Sequence, residues 1–251
     1  MTSYPAGVRR SAVSPVRALS IAYRVILGQL VSVGRIIALT LLSLTATVAG
    51  FAVGRSDSAD IDDGAAVIAS LGFAVVIPVV CLVFAGGALG DLRDDKTLVY
   101  LWLRPMDRWP LAVGAALAAF TMAVPVTLVP IVAGAALTGV GNGLVGATVI
   151  AALAALIAYT SIFTMLGVWL QRHIVWGLAY ILIWEGFVAL AGPGVAQLAI
   201  RKYTRSIIVD RTGADLGAAD FSTFAGVLVP LVASVVAIAI ASWRLSHHDV
   251  E

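Results

Sequence analysis

Long apolar runs, separated by short clusters of Asp, Lys and Arg, dominate the chain. A bilayer core of about 30 Å takes roughly 20 residues of α-helix. Six runs approach that length, over residues 36–54, 64–90, 109–131, 144–170, 174–191 and 221–243. Gly139, Gly141, Asn142 and Gly143 predict the turn between the third and fourth, because Gly and Asn tolerate positive φ. Gly192-Pro193-Gly194 stops the fifth. Pro78, Pro125 and Pro130 lie inside runs, where neighbouring helices resatisfy the freed carbonyls. Gly50/Gly54 and Gly86/Gly90 have the spacing of small-residue packing faces. That spacing fits close helix contact within the chain better than a seam between two copies.

Three segments do not span. Residues 16–35 place Arg17, Arg24 and Arg35 within about 20° of one another at 100° per residue. They predict a basic amphipathic helix at the cytoplasmic interface, before the first span. Residues 90–110 hold eight of the chain's 30 charged side chains. Thr97 is placed to N-cap a short apolar helix from Leu98 to Leu103, and Pro105 ends it. An apolar helix of this kind outside the lipid needs a partner or burial. Residues 192–220 are too charged to span and too long for a tight turn, so they predict an external helical hairpin or cap.

Composition then excludes the soluble classes. The chain is 61% hydrophobic and 12% charged, with mean hydropathy +1.01. Soluble domains carry about 25% charged residues. The chain therefore reads as an all-α integral membrane protein with one transmembrane domain over 1–251. A net charge of +2 gives no reason to expect nucleic acid. The distribution of charge says more. With the N-terminus inside, eleven Lys and Arg residues are cytoplasmic and five are external. The first external loop is acidic, with Asp57, Asp60, Asp62 and Asp63. Six spans return the C-terminus, with His247 and His248, to the cytoplasm, so the chain is expected in the cell membrane as a multi-pass protein. Arg9, Arg10 and Arg17 break up the first twenty residues, so no cleavable signal is expected. Cys81 is the only cysteine, which precludes an intrachain disulfide.

Catalytic constellations are lacking. Neither lysine, Lys96 or Lys202, follows a glycine, so the chain carries no P-loop. His173, His247 and His248 do not give H-E-x-x-H, and no metal site is expected. No predicted span holds an Asp, a Lys or a deep His to support intramembrane proteolysis. One ionisable side chain remains in a span. Glu185, in the fifth, is a candidate for the translocation path or for a structural pair near the outer interface.

The loop after the second span resembles that of the permease subunits of ABC-2-type transporters, bacterial six-helix proteins that pair with a separate ATPase. The resemblance is carried by Asp91, Asp94, Asp95-Lys96-Thr97-Leu98, Leu101 and Arg104-Pro105-Met106-Asp107-Arg108. The layout of amphipathic helix, six spans and external hairpin agrees along almost the whole chain. The family usually has Glu where Asp94 or Asp95 stands, and often Gly-Lys where this chain has Gly114-Ala115.

The resemblance implies two permease subunits, identical or related, forming one path for export of a hydrophobic or amphipathic substrate. Each would rest on a P-loop ATPase that binds ATP and magnesium. The coupling element would comprise Asp91, Arg93, Asp94, Asp95, Lys96, Thr97, Leu98, Leu101, Arg104, Pro105 and Arg108, docking through apolar burial and charge pairing. Arg172 and His173, after the fourth span, would make a second cytoplasmic contact. The alternatives are a small ATP-independent secondary transporter, which usually shows intramembrane charges or broken helices, and a membrane assembly factor.

Overall fold

The computed structural model describes residues 14–94, 108–141, 143–187, 197, 199–217 and 221–247. Among them the secondary structure is entirely helical. Among the described residues five helices are long and apolar enough to cross a membrane. In chain order the helices are α1 (Pro15–Leu30), α2 (Val33–Gly54), α3 (Ile61–Asp91, its last turn reaching Asp94), α4 (Trp109–Leu137), α5 (Leu144–Trp169), α6 (His173–Ala179), α7 (Ile200–Thr212) and α8 (Thr223–His247). The predicted fifth span begins as α6 and continues as a π-helical stretch, Tyr180–Phe187. Of those fifteen described residues seven are α-helical and eight π-helical.

The predicted basic helix over 16–35 needs correction. α1 ends at Leu30, and Val31 and Ser32 adopt extended backbone. Arg35 therefore lies in the first turn of α2, away from Arg17 and Arg24, which remain exposed on α1. The physical reason is packing. α1 buries Ala18, Ala22, Ile26 and Leu30, an i, i+4 stripe, along α4. A straight continuation could not both follow that groove and enter the bundle as a span. Gly114 of α4 makes the contact close: a Cβ there would lie 3.0 Å from the Ala22 Cβ.

α5 is the centre of the bundle. It packs against α3, α4, α7 and α8, and buries an alanine-rich surface with Tyr159 and Phe163. α2 packs on α4. A Cβ on Gly50 would strike the Gly134 carbonyl, and one on Gly134 would come within 2.6 Å of the Ala46 carbonyl. Thr47 Oγ1 donates to the Pro130 carbonyl at 2.7 Å across the same seam. The Gly50/Gly54 spacing is thus used within the chain. Such contact gives van der Waals attraction where lipid offers no hydrophobic gain. The outer faces of α2 and α8 expose Ile37, Leu41, Val48, Phe224 and Val235 among others. In a bilayer these apolar faces meet acyl chains.

The α4–α5 turn has Gly139, Gly141 and Gly143 at φ +68, +71 and +73, the left-handed region the glycines predicted. α3 is not regular: residues Ile68–Val76 and Leu82–Gly86 are π-helical. The first stretch ends two residues before Pro78, whose ring would press on the carbonyl one turn back in a regular helix. Polar segments collect at opposite ends of the bundle. One end holds Arg35, Asp91, Arg108 and His173. The other holds the 55–60 loop, the glycine turn and α7.

Candidate functional site

The first cluster forms where α3 leaves the bundle. The Asp91 carboxylate receives Arg35 Nη2 on Oδ2 at 3.2 Å. Its Oδ1 lies 3.7 Å from His173 Nε2, beyond a good hydrogen bond but close enough for attraction when the ring is charged. One carboxylate therefore addresses the starts of α2 and α6 together. His173 is buried, and it fits because α3 presents Gly90 and Gly86 to its ring. A Cβ at Gly90 would collide with His173 Nδ1, and one at Gly86 would lie 2.9 Å from Cδ2. Arg172, by contrast, is exposed and takes φ +58. The two residues expected to make one cytoplasmic contact thus point to different surroundings: Arg172 to the surface, His173 into the bundle.

Arg108 closes the same region from the other side. Its Nη1 donates to the Leu245 carbonyl at 2.6 Å. That carbonyl belongs to the last turn of α8, where the backbone has no helical donor left and the dipole favours a cation. Arg93 and Asp94 lie on the last turn of α3. Asp95, Lys96, Thr97, Leu98, Leu101, Arg104 and Pro105, with the expected short helix, fall outside the described residues.

The second cluster surrounds Glu185, which is 2% exposed. Its Oε1 accepts from the Ile200 N–H at 3.1 Å, and its Oε2 accepts from the Arg201 N–H at 3.1 Å. These are the first two amides of α7, which have no intrahelical acceptor. The Tyr180 hydroxyl donates to Oε1 at 3.0 Å. Tyr159 of α5 is buried next to this carboxylate. Its ring stacks on Phe163 at 5.9 Å, and Phe163 meets Tyr180 edge-on at 5.8 Å. The carboxylate is therefore held by two amide donors, a phenol and the positive end of a helix dipole. One expectation for Glu185 was a structural pair, the other a place on the translocation path. The contact with Arg201 is through its backbone amide.

The segment around α7 forms a cap on one end of the bundle. α7 buries Ile200, Tyr203, Ile207 and Ile208 against α5 and α8. Asp62 Oδ1 accepts from the Asp215 N–H at 2.7 Å, which ties the segment to the start of α3. Asp210 Oδ2 accepts from the Thr223 hydroxyl at 2.6 Å and the Thr223 amide at 2.7 Å. These bonds hold the exposed Asp210 carboxyl below the usual carboxylate range, the hydroxyl contributing most.

Among the described residues no three His, Cys, Asp or Glu side chains converge as metal ligands. The joining of Asp91 to Arg35 and His173 was not visible from spacing, since the three are 56 and 82 positions apart. The sequence shows only that Arg35 and His173 stand just before the first and fifth predicted spans and Asp91 just after the second. No family model matches the chain, and no curated protein matches it.

Proposed function

We propose that this chain is the membrane-spanning permease subunit of an ATP-binding-cassette transporter, exporting a hydrophobic or amphipathic substrate and powered by a separate P-loop ATPase. In this reading six helices cross the cell membrane, the fifth built from α6 and its π-helical extension. Both termini are cytoplasmic, and a second permease subunit, identical or related, completes the path. ATP and magnesium are bound by the ATPase.

The observation that carries the reading is the fixing of both ends of the 92–107 segment. Asp91, before it, is bonded to Arg35 of α2 and lies beside His173 of α6. Arg108, after it, is tied to the end of α8. A load applied to that segment would reach helices at one end of the bundle directly, which is what a coupling element requires. The charge and apolar content of residues 91–108 supports docking on a partner, and the motif resemblance supplies the ATPase as that partner.

Purification of the tagged full chain from native membranes in mild detergent tests this. The expected result is a co-purifying P-loop ATPase near one-to-one, with vanadate-sensitive transport after reconstitution. Recovery of intact, folded chain with no ATPase overturns it. A second reading, an ATP-independent secondary transporter or an assembly factor, is favoured by one observation: a buried carboxylate, Glu185, enclosed with two tyrosines.

A further inference from the structure

The bond between Tyr180 and Glu185 spans five residues of one helix. In an α-helix, residues i and i+5 stand about 140° apart at 100° per residue, too far around the axis for a direct bond. A π-helix has about 4.4 residues per turn, which brings them within roughly 50°. The pair therefore exists only because residues Tyr180–Phe187 are π-helical. The same carboxylate accepts the first two amides of α7. Glu185 thus satisfies two requirements at once: it closes the widened turn on Tyr180, and it caps a helix on another segment.

We propose that Glu185 is a latch that couples the π-helical stretch of the fifth span to the external helix α7, so that the two change state together. Reversion of Tyr180–Phe187 to α-helix turns Glu185 by about 90° around the axis relative to Tyr180. The carboxylate then leaves Ile200 and Arg201, and α7 loses its N-terminal cap. Conversely, lifting α7 removes two of the three hydrogen bonds that favour the π form. π-helical turns are uncommon and cluster where function needs irregular backbone. A two-state element of this kind is the physical requirement for coupling between segments. Glu185 is a positioning residue here: it sets where α7 sits over the ends of α5 and α8. The inference rests on the permease reading only in taking that face as the outer mouth of the path.

Hydrogen–deuterium exchange of the full chain in lipid nanodiscs tests the latch. Glu185→Ala is expected to raise exchange at least about tenfold in both 180–187 and 199–212, with α8 unchanged, since charge-assisted bonds to two amides are lost. Tyr180→Phe removes the hydroxyl that donates to Glu185 and keeps the ring. It is expected to raise exchange in the same two segments about threefold. If Glu185→Ala does not insert, Tyr180→Phe and Glu185→Gln carry the test. Faster exchange in 199–212 with 180–187 unchanged would show a simple cap and overturn the coupling. Unchanged exchange in both overturns the latch. Co-purification of the ATPase is scored separately, so a failed latch and a failed permease reading give different results.

Discussion

Arg35 and Asp91 meet at 3.2 Å, joining the first turn of α2 to the last turn of the second span. Their side chains are 30% and 45% exposed, so solvent screens the pair. An exposed pair of this kind contributes about 0.2–1 kcal/mol. A double-mutant cycle with Arg35→Ala and Asp91→Ala should therefore give a coupling energy inside that range in thermal unfolding. A coupling of zero would mean that the two helices are joined by packing alone.

If residues 91–108 couple to an ATPase, charge and not insertion is at stake in the loop. Reversal of Asp94 and Asp95 to Lys should leave membrane insertion intact while uncoupling ATP hydrolysis from transport. The check is hydrolysis and substrate flux measured in the same proteoliposomes. Transport at the unaltered level by this variant would sink the coupling assignment.

Helical glycines at helix contacts should be intolerant, and helical glycines facing open space tolerant. Gly50→Ala puts a methyl group into the Gly134 carbonyl across α2 and α4. Overpacking of this kind costs about 1–3 kcal/mol. Gly146→Ala lies on an exposed helical surface with nothing within 4 Å, and should be neutral or stabilising by up to about 1 kcal/mol. Thermal midpoints of the two variants in the same lipid should separate in that order.

Asp210 makes stability of the α7 cap sensitive to acid. Its carboxyl is held low in the folded state by the Thr223 hydroxyl and amide. A depressed folded pKa contributes stability that is full above the unfolded value, about 3.9, and is lost as pH falls through the folded value. Wild type should lose thermal stability between pH 5 and pH 3 by more than Asp210→Asn does. Parallel loss in both proteins would assign the acid sensitivity to other carboxylates.

Hydropathy alone places this chain among helical membrane proteins. Uncharged runs near 20 residues leave no water-soluble solution, because the backbone and the apolar side chains then demand helices in lipid. The sequence also specifies the glycine turn at 139–143, because φ near +70 is open to few other residues. What the polar residues do follows instead from how the helices pack. Arg35 moved from an interfacial stripe to a pair with Asp91 because α1 had to break at Val31 and Ser32 to follow α4. His173 turned inward because Gly86 and Gly90 leave room for its ring. Glu185 acquired its partners from a helix that starts fifteen residues later and from a π-helical turn that no residue pattern announced. Periodicity reports which face of a helix is apolar. It does not report which helix lies against that face, and the bonds of a buried charge depend on that neighbour.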